Sequence, residues 1–146
     1  MIWITLLYIG FIFRNSATPG VQSSVESNWL TDMLNEWMNK FGLSFIQFSE
    51  GFIRKAAHFT EYSILGGMLT LSLAHHPFFQ GKRRWLLIPI GTIIAVIDEG
   101  IQFVTPGRDC NILDVLLDTV GVAFGVAACA GIQWLWNQRK QKKQSA

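Results

Sequence analysis

Cysteine and charge are the scarce ingredients of this chain. Only two of its 146 residues are cysteine. Cys110 and Cys129 stand nineteen positions apart along an apolar stretch, about 28 Å at helical rise, so they cannot pair with each other. No disulfide framework and no cysteine metal site is indicated. Charged residues make up 15% of the chain and hydrophobic ones 50%, and the formal net charge of +2 is too small to indicate a nucleic-acid partner. Also missing are a basic segment ahead of MIWITLLYIGFIF and a clear cleavage site after it, so the first block is read as a retained helix rather than a signal peptide. There is no G-x-S-x-G, no phosphate-binding or dinucleotide glycine motif, and no internal repeat of any weight.

What is present is apolar sequence in long blocks with short charged joints, where a soluble domain would break its runs to build a solvated face. This is the pattern of a polytopic membrane protein. Four blocks are read as spanning helices: residues 1–14, 52–79, 85–104 and 112–136. Between the first two, Val25, Trp29, Met33, Leu34, Trp37, Met38 and Phe41 recur at helical spacing among Glu26, Asp32, Glu36 and Lys40. They predict an amphipathic helix on the outer membrane surface or folded over the bundle, with Trp29 and Trp37 as anchors. The expectation is thus an all-α, polytopic transmembrane bundle: one domain over 1–146, an extracytoplasmic segment at 15–50 and a basic tail at 137–146.

The basic residues orient it. Lys82, Arg83 and Arg84, and the tail Arg139, Lys140, Lys142 and Lys143, place both termini in the cytoplasm, and Trp3, Trp85, Trp134 and Trp136 fall at the same interface. Arg54-Lys55, on the outer side, is the counter-signal. His75 and His76 beside Pro77 are read as ordinary interfacial residues. Gly121 and Gly125 form a small-xxx-small pair that serves packing within the chain, with a homodimer seam as the alternative.

Against this apolar background the stretch DEGIQFVTPGRDCNILDVLLD is anomalous. Asp98 lies seven residues before Thr105 and Asp118 six after Ile112, which puts each roughly 10 Å below the outer end of its helix. Arg54, His58, Glu61 and Tyr62 enter from the same side on the second block, so three helices deliver ionisable groups to one layer. An ionised carboxylate costs about 3 kcal/mol at the bilayer centre on insertion scales. Several of them in one layer must meet cations, donors, water or protons. Asp98 and Glu99 point about 100° apart, so one faces this layer and the other a neighbouring helix. Pro106-Gly107 predicts a type II turn holding Arg108 at the mouth, where a guanidinium can grip a phosphate or carboxylate, and Asn111 or Asp109 caps the last helix.

Two chemistries remain open at these residues. His58 can act as a base while a carboxylate orients its other nitrogen and Arg108 stabilises developing charge. Alternatively His58 and Glu61, with Asp98 or Glu99, ligate a divalent metal, although no zinc motif with its own spacing is present.

The segments R54-K-A-A-H58-F-T-E61-Y62 and D98-E99-G-I-Q102-F-V-T-P106-G107-R108, with D114 and G121-V-A-F-G125, resemble the VanZ-like membrane proteins over most of the chain, least distinctively at 17–48. The chain departs from the family pattern at Asp109-Cys110, where a small residue is usual after the Arg. The resemblance implies a small helical protein of the bacterial cytoplasmic membrane, and one branch of the family is associated with resistance to glycopeptide antibiotics of the teicoplanin type. It implies no settled reaction and no known cofactor.

The resulting expectation is an outer-leaflet site that binds or modifies an anionic lipid or lipid-linked envelope molecule. His58, Glu61, Asp98 and Glu99 form its catalytic set. Arg54, Tyr62, Gln102, Arg108, Asp114 and Asp118 contact the ligand. A non-enzymatic lipid- or antibiotic-binding protein is the rival. A small transporter is disfavoured because the inner half offers no polar path and no inverted repeat.

Overall fold

Runs of Leu, Ile, Val and Ala between Pro and Gly breakers produce helices and nothing else among the described residues. The structure, a computed structural model, describes residues 1–73, 76–79, 81–108 and 110–144. Helices α1 (Ile2–Ser16), α2 (Gly20–Lys40), α3 (Glu50–Leu73), α4 (Leu87–Val104) and α5 (Ile112–Gln144) follow one another, with short 3-10 turns at Pro77–Phe79 and Gly81–Leu86 between α3 and α4. The all-α expectation holds. His75 and Asp109 lie outside the described residues.

The expectation of four spanning helices does not hold. Among the described residues only two stretches, Arg83–Val104 and Ile112–Gln141, are long and apolar enough to cross a membrane. The 15 residues of α1 reach about 22 Å, short of a hydrocarbon core of about 30 Å. Helix α3 has the length, but Glu50, Arg54, Lys55, His58 and Glu61 crowd its first half and leave no apolar window of sufficient length. The two qualifying stretches are only 33% and 28% buried inside the protein, whereas the core helix of a soluble domain would be mostly covered. Their outward side chains, among them Ile93, Val96, Phe103, Leu116, Val120 and Phe124, form an apolar exterior consistent with a membrane protein.

Helix α2 begins five residues earlier than the apolar periodicity predicts. The polar residues Gln22, Ser23 and Ser24 join it because its start is seated on the loop after α4: the Gly20 N–H donates to the Pro106 carbonyl at 3.0 Å. The Gly107 backbone occupies the space that a Cβ on Gly20 would need. Gly107 itself has φ +75° and the Arg108 N–H donates to the Thr105 carbonyl at 3.2 Å, the arrangement that Pro-Gly at the centre of a type II turn requires. Helix α2 then packs on α3 with Trp29 and Trp37 exposed.

Cross-chain contacts set the helix directions. Thr5 meets Ser72 at 2.7 Å and Tyr8 meets the Glu61 carbonyl at 3.2 Å, so α1 runs against α3. Thr119 meets Thr92 at 3.2 Å and Gly91 lies against Val122, while Glu99 reaches Asn111, so α4 runs against α5. Helices α3 and α5 are parallel and share the largest interface in the protein. Their contact is backbone against backbone. A Cβ on Gly66 would overlap the Val122 carbonyl and one on Gly125 the Ser63 carbonyl, and one on Gly121 would come within 2.8 Å of the Phe59 carbonyl. The small-xxx-small pair therefore packs inside the chain, against α3. Around it Tyr62, Leu65, Leu69, Val122 and Val126 join Ile12, Leu87 and Ala95 in the core.

Gly125→Ala should destabilise the protein by about 1–3 kcal/mol, since the collision is with backbone rather than a movable side chain. Gly131, on the same helix, has nothing within 4 Å of an added Cβ, so Gly131→Ala should be neutral or slightly stabilising. Thermal unfolding of the detergent-solubilised variants checks this. Equal Tm values for the two would mean that the α3–α5 contact is not what holds the bundle.

Candidate functional site

The end of the bundle away from Arg83 and Arg84 is where the polar side chains meet. His58 comes from α3, Asp98 from α4 and Asp118 from α5, and each offers one ligating atom such that all three lie within 4.8 Å of one another. His58 Nδ1 is 3.8 Å from Asp118 Oδ1. Asp98 and Asp118 are 0% and 1% exposed. Gln102, one turn beyond Asp98, spans from Asp98 Oδ2 at 3.2 Å to the Ser16 hydroxyl at 3.3 Å, tying α4 to the end of α1. Tyr62 is fully buried with its hydroxyl near Asp98, short of full hydrogen-bond geometry. The convergence of three helices at one depth, expected from spacing, is therefore present as a buried His/Asp cluster.

The cluster is under-satisfied. His58 Nδ1, Asp98 Oδ1 and Asp118 Oδ1 are all buried without a hydrogen-bond partner, as is the Tyr62 hydroxyl. Buried polar atoms are paired in the great majority of native interiors. Four unpaired atoms fall within this one cluster, besides Glu50 Oε1, Arg84 Nε, Glu99 Oε2 and Asp114 Oδ1 elsewhere, and their concentration at one point calls for a chemical explanation.

Glu99 turns the other way, as the 100° offset from Asp98 requires. Its Oε1 accepts the Asn111 N–H, so it receives the backbone where the chain enters α5, while Oε2 is buried without a partner. Asn111 in turn caps α5, its Oδ1 accepting the Leu113 N–H at 3.0 Å. Asp114 sits in the first turn of α5, where a carboxylate is favoured by the helix N-terminus.

Above the cluster lie two cavities, of about 340 Å³ and 240 Å³, whose walls share Arg54, His58, Arg108 and Ser23. Glu61 and Glu26 line the larger one, Asp114 and Gln102 the smaller. Arg108 is held by backbone: Nη2 donates to the Asn15 carbonyl at 2.8 Å and Nε to the Thr18 carbonyl at 3.1 Å, closing the C-terminal end of α1. Burial lowers the Arg108 pKa from its ordinary value and the neighbouring Arg54 charge lowers it further, with Asp98 and Glu61 opposing. Arg54 is about half exposed and only loosely paired, 3.9 Å from Glu50 one turn before it. Glu61 Oε1 accepts the Asn15 side-chain amide at 3.0 Å.

All ten expected site residues lie at this end, in three groups. His58, Asp98, Asp118, Tyr62 and Gln102 form the buried cluster; Arg54, Arg108 and Glu61 form the cavity wall; Glu99 and Asp114 gather at the start of α5. Spacing arguments missed the contribution of α1 and α2. Asn15, Ser16, Thr18 and Glu26 line the larger cavity. The signal available was the abrupt polar pair Asn15-Ser16 at the end of an otherwise apolar block.

No curated protein and no solved structure matches the chain. The family model described as VanZ/LLP1 matches residues 1–135. That span takes in the cluster, both cavities, the turn at Pro106-Gly107 and the glycine contact between α3 and α5. The chain belongs to the VanZ/LLP1 family.

Proposed function

We propose that the paired cavities receive the negatively charged headgroup of a membrane lipid or lipid-linked envelope molecule, at the membrane face opposite the basic ends of α4 and α5. The observation that carries this reading is the convergence of Arg54 and Arg108 on both cavities. Two guanidiniums sharing one partly desolvated space repel each other until an anion enters, and each adds a charge-assisted hydrogen bond of about 1.5–3 kcal/mol when it does. The apolar exterior of the neighbouring helices supplies a surface along which acyl chains can lie, so a ligand with a charged head and lipid tail fits both features. A lipid-tailed glycopeptide of the kind linked to this family is one such molecule.

The antiparallel hairpin of α4 and α5 supports the orientation in this reading. Arg83 and Arg84 begin it and Arg139 and Lys140 end it, at the same end, which the positive-inside rule assigns to the cytoplasm. The loop carrying Arg108 and the exposed Cys110 is then extracytoplasmic. In spheroplasts a membrane-impermeant maleimide should label Cys110 without permeabilisation and leave the part-buried Cys129 unlabelled. Labelling of Cys110 only after permeabilisation would invert the orientation.

The headgroup reading is tested by incubating purified protein with an envelope-lipid extract and identifying retained and newly formed lipids by mass spectrometry. Arg54→Gln is the informative variant, because Arg108 also anchors α1. It should weaken retention of anionic lipid about tenfold or more, the equivalent of one charge-assisted hydrogen bond. Undiminished retention in Arg54→Gln, or retention of zwitterionic and anionic lipids alike, would refute the reading. A new lipid species made by the unaltered chain would show modification rather than shielding.

A further inference from the structure

We propose that His58, Asp98 and Asp118 form a binding site for one divalent cation of the zinc or manganese class, beneath the cavity that Arg54 and Arg108 share. This rests on the cluster itself and not on the lipid reading.

The donor set is one imidazole and two carboxylates, from three different helices, with their ligating atoms within 4.8 Å of one another. Ligands about 2.0–2.2 Å from a tetrahedral ion lie about 3.3 Å apart, so side-chain adjustments of the order of 1 Å close the set around a metal. The His58 to Asp118 distance of 3.8 Å is already near that value. A direct hydrogen bond between these two would need about 2.8 Å. The pair is thus too far apart for a strong hydrogen bond and about right for sharing an ion.

The unpartnered atoms point the same way. His58 Nδ1, Asp98 Oδ1 and Asp118 Oδ1 are each buried with no hydrogen-bond partner, and both aspartates are at least nine-tenths buried. An interior that leaves one donor or acceptor bare on each of three adjoining side chains loses about 1–3 kcal/mol for each, more when the group is charged. One cation replaces all three missing partners at once.

Charge balance reinforces this. Two buried carboxylates need positive charge nearby, and the two guanidiniums that line both cavities make their hydrogen bonds and ion pair elsewhere: Arg108 to the Asn15 and Thr18 carbonyls, Arg54 toward Glu50. A divalent ion neutralises Asp98 and Asp118 while His58 binds neutral. Imidazole favours zinc-like ions and carboxylate manganese-like ones, and neither Cys110 nor Cys129 joins the set, so softer metals are not selected. The supporting contacts resemble those of metal ligands: Gln102 holds the second oxygen of Asp98, and Tyr62 lies beside it. Three protein ligands leave coordination positions free, and His58 is the residue that also lines both cavities.

The test uses the full chain in detergent, stripped with a chelator and dialysed against micromolar Zn2+ or Mn2+, with bound metal counted by plasma mass spectrometry. The unaltered chain and Glu36→Gln, a change on the far-off surface of α2, should each retain about one ion per chain. Asp118→Asn and His58→Ala should retain at least about tenfold less. Adding metal should raise the Tm of the unaltered chain and not that of Asp98→Asn, as binding to the folded state requires. If a variant fails to fold, cobalt substitution of the unaltered chain decides, through the visible spectrum of nitrogen and oxygen ligation. No bound metal in the unaltered chain, or full retention by folded Asp118→Asn, would overturn the site and leave protonated carboxylates as the explanation of the cluster. Because the metal is the only probe, failure here leaves the anionic-headgroup reading standing, and failure of lipid retention leaves this one.

Discussion

The contact on which everything else depends is the bare-backbone crossing of α3 and α5. Gly66, Gly121 and Gly125 leave no room for side chains between the two helices. A helix pair that meets backbone to backbone gains extensive van der Waals contact, and glycine permits the closest approach. Because α3 and α5 run parallel, this crossing fixes their register, and register sets which residues meet at the ends. One turn above the crossing, His58 lands beside Asp118. A shift of one residue along either helix would rotate one of them about 100° away.

With α3 and α5 locked, the remaining elements act mainly as partners to polar atoms. Helix α4 brings Asp98 to the same point, and Gln102 links it to Ser16. The Asn15 carbonyl at the end of α1 and the Thr18 carbonyl just beyond it both accept from Arg108. Helix α2 starts where Gly20 meets Pro106. The short loop after α4 therefore gathers α1, α2 and α4 at one end, through the Arg108 guanidinium and the Gly20–Pro106 backbone bond, while Thr5 and Ser72 join α1 to α3 at the other. Polar residues are buried at one end, beside an apolar core, while α4 and α5 turn large apolar side chains outward, an exterior consistent with a membrane protein.

Much of this was legible in the sequence because the polar residues stand out against an apolar background. The i,i+4 bond between Asp98 and Gln102 and the Pro106-Gly107 turn depend on local geometry, and each forms as spacing predicts. What depended on partners distant in sequence was not legible. The start of α2 is decided by a carbonyl on another loop, so periodicity placed it late. The number of spans was over-read because an apolar block is not the same as an apolar window: α3 carries its chemistry within the length that would have to sit in lipid. Arg108 looked free for a ligand, but much of its fork is committed to α1, and no motif signals a bond to a backbone carbonyl ninety residues away.

That commitment of Arg108 bears on how the site works as a unit. A guanidinium tethered by carbonyls is positioned before any ligand arrives, so less side-chain entropy is lost on binding than for a free arginine. Arg54, exposed and loosely paired, is the adjustable partner. The wall shared by the two cavities thus has one tethered and one loosely paired guanidinium beside a buried layer of acidic groups, with Lys55 also lining the smaller cavity. With a divalent ion in the proposed cluster site and an anion at the proposed headgroup site, each would attract the other across this short distance. The glycine crossing makes the arrangement geometrically specific, because it sets the register that brings the imidazole bordering both cavities beside Asp118.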